Sequence, residues 1–305
     1  MSNINRNLFL SLIIPATTKK VQTIIEKVIV YILVLMVIFA VLAPFLWMLI
    51  SSISPQTELS AKPPHWIPKT PTLARYRAIF LHTDEVQSLP VGVEKFLQGL
   101  VNSLIISSAT TVVCVVAGSM AAYASARLAI PGKRHFLFGI LGSQMLPVIV
   151  IIIPLNIMMQ RYNLIDRWYG LVFLYSGFLL PTVIWIMHSY FLSLPRELEE
   201  AALIDGCTRL GSLVRIIMPL SGPGVVAVSA FAFLSSWNEF FMALIFTASK
   251  AKTITVVVTE FSSQFGTDYG LMATGGVIGS IPPILLALLL QRYIIAGLTA
   301  GAIKG

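Results

Sequence analysis

The residues best placed to do chemistry lie between Ser193 and Pro219, where the chain reads SLPRELEEAALIDGCTRLGSLVRIIMP. Four acids, Glu197, Glu199, Glu200 and Asp205, stand among three arginines, Arg196, Arg209 and Arg215. Neither cysteine of the chain, Cys114 or Cys207, sits in metal-ligand spacing. A set of this kind serves ionic recognition rather than bond-making. A lipid surface is the poorer partner, because membrane-surface helices favour Lys and Arg on the polar face and this stretch carries four acids. The local pattern predicts two short helices joined at a glycine. Ser193 and Pro195 form a start signal, and Glu197 falls in the first turn, where a carboxylate suits the helix dipole. Leu194, Leu198, Ala201 and Ala202 share one face, with Arg196, Glu199 and Glu200 directed elsewhere. Asp205-Gly206 breaks the run, Gly tolerating positive φ and Asp capping the second helix. A second apolar stripe, Leu210, Leu213, Val214 and Ile217, lies opposite Arg209, Ser212 and Arg215, and Pro219 ends it.

The elements that position this charged island are apolar and long. Of 305 residues 56% are hydrophobic and 11% charged, with a mean hydropathy of +0.85, which defines an integral membrane protein. The formal charge of +8 does not mark a nucleic-acid binder, because the basic residues are dispersed and mostly flank apolar segments. A basic leader over 1–27 is followed by a first span over 28–50 and a proline-interrupted external loop over 51–98. Further spans are expected at about 100–126, 136–158, 169–191, 219–246 and 271–294, within a core region covering 99–296; a tail over 297–305 completes the chain. Small residues recur at helical spacing in the second span, Gly118 with Ala122 and Ser119 with Tyr123, so that helix is buried among others. Arg127, Lys133 and Arg134 come after it without an acid and place that loop inside.

Several polar residues fall in apolar surroundings. Gln144, beside Pro147, either lines a path through a bent helix or makes an interhelical hydrogen bond. Glu239 lies about 30 Å along the fifth span from Pro219 at ~1.5 Å per residue, where it either faces a watery path or serves structure, and Trp237 suits an aromatic belt. No G-x-x-x-x-G-K-[ST], H-E-x-x-H or G-x-S-x-G is present, and all four aspartates fall in predicted loops. These absences argue against a nucleotide site and against intramembrane enzyme chemistry. An ion-driven carrier would carry ionisable groups near the midplane, and the charged island would have no task in it.

Glu200-Ala201-Ala202, three residues, Gly206, nine residues, Ile216, one residue and Met218-Pro219 resembles the EAA loop of ABC-importer permeases, departing only in Met218 for Leu. Asn102-Ser103-Leu104-Ile105, Gln144-Met145-Leu146-Pro147, Trp237-Asn238-Glu239-Phe240 and the tail from Gln291 are similar to the maltose-type carbohydrate-uptake subfamily. The resemblance implies an all-α membrane protein of about six transmembrane helices, with the type I ABC importer permease fold and cytoplasmic coupling helices. It implies that Glu197, Glu200, Ala201, Ala202, Asp205, Gly206, Ile216 and Pro219 meet a separate ATPase. Asn102, Gln144, Asn238 and Glu239 are candidates for the solute path, and Gly301 and Lys304 for a contact between the tail and the ATPase. No cofactor is expected on this chain, ATP and Mg belonging to the ATPase subunits. The implied partners are a second, non-identical permease, two ATPase copies, an external or periplasmic solute-binding protein and the lipid bilayer, with no nucleic acid. The implied location is a prokaryotic cytoplasmic membrane with both termini inside.

A reporter fused after Lys133 or Arg209 is expected to read cytoplasmic, and one after Lys69 or Lys250 external. An external reading at Arg209 would overturn the topology.

Overall fold

The computed structural model describes residues 16–63, 65–81, 93–263 and 266–302. Four helices within it contain stretches long and apolar enough to cross a bilayer. They are α1 (Ala16–Ile53), α4 (Phe96–Arg127), α7 (Trp168–Ser193) and α14 (Tyr269–Ala302). Between α1 and α4 lie two short helices, α2 (Gln56–Leu59) and α3 (Ala74–Leu81). Helices α5 (Lys133–Ser143) and α6 (Val148–Arg161) meet at 94°. The segment Arg209–Leu220 meets α11 (Gly222–Trp237) at 86°. With each bent pair taken as one span, the number of spans rises from four to six. Beyond α11 come α12 (Phe241–Phe246), α13 (Ile254–Thr259) and a two-strand antiparallel ribbon, β1 (Ser262–Ser263) with β2 (Gly266–Thr267).

The centre is α4 against α7, with α11 packed on both. The small-residue stripe explains the closeness: a Cβ added at Gly118 would stand 2.6 Å from Val183 Cγ1, so a larger residue would force that crossing to shift. Around it, Cys114, Val183, Met187, Phe191, Val228 and Ala232 form one buried cluster. At the other end of the bundle, Met159, Leu171, Tyr175, Met242 and Phe246 form a second. A third joins Phe96, Trp237, Ile254, Phe261 and Leu271. Trp237 is therefore not a belt residue; it is buried and donates from Nε1 to Gly279 O at 3.1 Å, tying α11 to α14.

Several expectations shift. The helix of α1 begins at Ala16, well before the 28 expected; residues 1–15 of the leader lie outside the described residues. The third span is not one kinked helix. Pro147 forces Leu146 out of α-helical geometry, so α5 ends at Ser143 and α6 starts afresh at Val148. The fifth span begins at Gly222, after Pro219 rather than at it, and stops at Trp237 instead of running to 246. The tail is helical in backbone to Ala302, so Gly301 lies on α14 and Lys304 falls outside the described residues.

At the end of the bundle remote from Ser193, single side chains hold the connections. Arg75 is buried, pairs through Nε with Asp268 Oδ1 at 3.2 Å and donates from Nη1 to Ser54 O at 2.6 Å, joining α3 to the ends of α1 and α14. Asp166, in the turn before α7, accepts backbone N–H bonds from Ala248, Ser249, Lys250 and Ala251 at 2.9–3.1 Å. Burial alone would raise the Asp166 carboxyl, but those four donors outweigh it and hold it at about 2, below the ordinary 3.8. A depressed folded-state value means that the clamp is fully present above 3.8 and is lost as pH falls through about 2. The thermal midpoint of the detergent-solubilised chain is expected to fall over that window, and Asp166→Asn to start lower and stay flat across it. Parallel pH profiles would remove the clamp.

Candidate functional site

The charged island folds as α8 (Glu197–Ile204), α9 (Arg209–Ser212), a π-helical turn Leu213–Ile217 and α10 (Met218–Leu220). Its corner is built from the motif spacing. Helix α8 ends in a Schellman motif, with Gly206 in the left-handed region at φ +88. The N–H of Cys207 donates to Ala202 O at 2.9 Å and that of Gly206 to Leu203 O at 3.1 Å. Ala-x3-Gly is the separation this motif needs between its first carbonyl and its left-handed residue. Asp205 is the C-cap of α8 and does not cap the next helix; Thr208 does, its Oγ1 accepting from Gly211 N at 3.1 Å. Ser193 belongs to the end of α7, and Pro195 lies just past the break. Pro219 does not end the segment. Its ring and missing N–H exclude an ordinary α-turn, and the π turn, closed by Met218 N to Leu213 O, carries the helix through to Leu220.

Two faces result. Glu197, Glu200, Ala201 and Ile204, at i, i+3, i+4 and i+7, point outward, with Ile204 86% exposed. Leu198, Asp205, Gly206, Leu210, Val214 and Pro219 are exposed as well. Ala202 is buried and Ile216 half-buried. The inner side, Leu213 and Ile217, enters the bundle cluster with Phe191. This corrects the expected facing: Leu198 and Ala201 lie outside, and Glu199, expected among the outward polar residues, is 6% exposed.

Glu199 is buried because partners await it on α4. The Tyr123 hydroxyl donates to its Oε1, and Arg127 Nε lies 3.5 Å from its Oε2. Arg127 also donates from Nη2 to Leu194 O at 2.9 Å, holding the link between α7 and α8. Arg127 is thus not a solvated flank; its side chain is 3% exposed. Removing one member of such a buried pair costs about 3–5 kcal/mol, so the pair fixes the platform on the bundle. The signal in the sequence is the continuation of Ser119 and Tyr123 by Arg127 at the same four-residue spacing.

The candidate path residues lie elsewhere, and not together. Asn102 Nδ2 donates to Lys250 O at 2.8 Å and Lys252 O at 2.9 Å. Gln144 Nε2 donates to Thr182 Oγ1 at 2.6 Å, bridging the break after α5 to α7. Glu239 caps α12, Oε1 accepting from Met242 N at 2.8 Å and Oε2 from Ala243 N at 3.0 Å. Asn238 is exposed and lines a cavity of about 460 Å³ with Trp237, Phe240, Thr255, Thr259 and Ser280. Among the described residues no group of three or more His, Cys, Asp and Glu could hold a metal ion.

Spanning helices, two right-angled breaks and an outward charged platform define a multi-pass membrane protein. Residues 114–299 match the binding-protein-dependent transport system inner membrane component, and the chain belongs to that family. The trehalose transport system permease protein SugB of Mycobacterium tuberculosis is 39% identical, covering 87% of this chain and 93% of that protein. The sulfoquinovosyl glycerol transport system permease protein SmoH of Agrobacterium fabrum is 34% identical over 87% and 89%. The trehalose/maltose transport system permease protein MalG of Thermococcus litoralis is 33% identical over 93% and 99%. A solved bacterial ABC transporter involved in the import of the acidic polysaccharide alginate shares the fold, with a TM-score of 0.73 at 20% identity, over 92% of this chain and 99% of the solved one. The protein is a membrane-spanning permease subunit of a binding-protein-dependent ABC importer.

The Schellman corner makes a graded prediction. Gly206→Asn is expected to preserve it and Gly206→Val to strain it by roughly 1–2 kcal/mol, the cost of a left-handed L-residue. Amide exchange at Cys207, whose N–H closes the motif, reads the difference; equal protection in both variants would remove the corner's role.

Proposed function

We propose that this subunit carries a sugar or related solute, an oligosaccharide, polyol or glycerophosphodiester, and is driven by a separate ATPase docked on α8 to α10. The observation that carries this reading is the outward face Glu197–Glu200–Ala201–Ile204, held by the Gly206 corner on a segment that meets the next span at a right angle. Acidic groups beside exposed Leu198, Ile204, Leu210 and Val214 suit a protein cleft that pairs charge and buries apolar area. Relatives named for trehalose, trehalose/maltose and sulfoquinovosyl glycerol support the solute class. So does the cavity beside Asn238, where Trp237 and Phe240 offer aromatic surface and Asn238, Thr255 and Ser280 offer hydrogen bonds. Asn238 is the strongest of the path candidates on this ground; Asn102, Gln144 and Glu239 act on the path by shaping its walls.

The chain itself is non-catalytic and holds no cofactor, with ATP and Mg bound by the ATPase. One platform per chain implies two permease chains for two ATPase copies, since each nucleotide-binding subunit must grip one platform. The bare length of α1 from Ile24 to Leu42 suits a second, non-identical permease and lipid. An external or periplasmic binding protein delivers solute; a bacterial alginate ABC transporter of the same fold is solved in complex with an alginate pentasaccharide-bound periplasmic protein. The platform faces the cytoplasm of a prokaryote, both termini lie inside, and the tail with Gly301 and Lys304 contacts the ATPase.

Purification in mild detergent is expected to recover this chain with one other permease and two ATPase copies, and Glu200→Lys to release the ATPase while the chain stays in the membrane. Loss of a paired interfacial charge of this kind costs about 2–5 kcal/mol. Solute movement by the purified chain alone, driven by an ion gradient, would overturn the proposal.

A further inference from the structure

Adjacent glutamates of α8 have opposite surroundings. Glu200 is exposed, whereas Glu199 is buried against Tyr123 and Arg127 of α4. Those two residues sit one turn apart at the platform end of a single unbroken helix. Near the other end of α4, roughly 30–37 Å away at ~1.5 Å per residue, lie Asn102 and Ser103. Asn102 holds the carbonyls of Lys250 and Lys252, and Ser103 Oγ accepts from Ile254 N at 2.8 Å. Gly99 lets α13 approach so closely that a Cβ there would stand 2.9 Å from Val257 Cγ2. Ile254 and Thr255, at the start of α13, form a wall of the cavity beside Asn238. One rigid element therefore touches the platform at one end and a cavity wall at the other.

We propose that Glu199 is a positioning residue that fastens the platform to α4, so that displacement of the platform moves α4 and, through Asn102 and Ser103, the wall formed by Ile254 and Thr255. The inference rests on the import reading above and assigns it a route. Glu200 and its outward neighbours hold the ATPase; Glu199 passes the motion on. The Coulombic pair with Arg127 and the hydrogen bond from Tyr123 resist separation in a site that excludes water, where a lost partner is not replaced by solvent. Glu199→Gln retains the shape and an acceptor for Tyr123 while removing the charge, and so loosens the fastening without emptying the site.

The test uses the assembled complex in proteoliposomes, in a Cys207→Ser background carrying Thr255→Cys as a thiol reporter. With Glu199 intact, labelling of Cys at 255 is expected to change when ATP is trapped on the ATPase. Glu199→Gln should keep the ATPase bound, lose the nucleotide dependence of labelling, and lower solute moved per ATP by about tenfold, within the usual range of coupling between sites. The exchanged pair Glu199→Arg with Arg127→Glu should recover part of the loss. Tyr123→Phe, which removes only a hydroxyl, carries the same test if Glu199→Gln does not reach the membrane. Unchanged labelling and unchanged solute per ATP in Glu199→Gln or Tyr123→Phe would overturn the route while leaving ATPase docking in place. Failure of the chain with Glu199 intact to retain an ATPase would remove the import reading and the route with it.

Discussion

Inside a bilayer no water is available to a broken helix, so each interruption must find its hydrogen bonds within the protein. That constraint accounts for much of this structure. The chain breaks after Ser143, at Ser221 and after Trp237, and polar side chains gather at two of these points. Gln144 reaches α7 from the first break. At the third, Glu239 satisfies the first N–H groups of α12, and Thr255 donates to the Glu239 carbonyl at 3.0 Å. Outside the spans, Asn102 holds the turn beyond α12 by the same kind of bond. A polar residue in an apolar stretch is thus first a repair of the backbone. Of the four candidate path residues, Asn238, exposed at the end of α11, is the one that lines the cavity.

Breaks also give the molecule its directions. Two helices meeting near a right angle convert a bundle running across the membrane into a surface lying along it. At the platform this is achieved by sequence chemistry in a short span: Gly206 turns the chain, Thr208 restarts a helix, and the π turn carries it past Pro219 before Ser221 and Gly222. Leu213 and Ile217 then anchor the surface in the bundle core. Their burial joins the platform to the spans alongside the Glu199 pair with Tyr123 and Arg127.

Much of this was legible in the sequence, and the remainder failed for identifiable reasons. Composition and apolar run length gave the membrane class and the approximate spans, because bilayer thickness fixes helix length. The Gly118 stripe indicated the buried helix, since close approach demands small residues. The breaks were harder to place. A proline inside an apolar run is compatible with a kink or a stop, and the local pattern at Pro147 and Pro219 does not distinguish them. In the first case the helix stopped; in the second it continued. The facing of α8 was misread because hydrophobic periodicity assumes that apolar residues go inward and charges outward. Over eight residues that assumption rests on few positions, and a single tertiary partner, Arg127, was enough to override it. Trp237 failed similarly: its distance along the span was right for a belt, but Gly279 O offered its N–H a buried acceptor.

The two glutamates show why a short helix suffices for docking and fastening together. Successive residues on an α-helix point about 100° apart, so Glu199 can turn into the bundle while Glu200 faces out. An inward carboxylate is tolerable only with a cation and a donor in place, and Arg127 and Tyr123, one turn apart on α4, supply both. Ala202, three residues after Glu199, lies on the same buried side, where its small side chain brings the helix close enough for the contact. The next turn ends at Gly206, so the inward face is one turn long and the outward face carries Glu197, Glu200, Ala201 and Ile204. The acid-Ala-Ala-x3-Gly spacing thus encodes a local geometry on its own: an exposed acid, a buried alanine and a Schellman corner at fixed separation. The buried Glu199 lies just outside that pattern, which is why matching the motif alone passes over it.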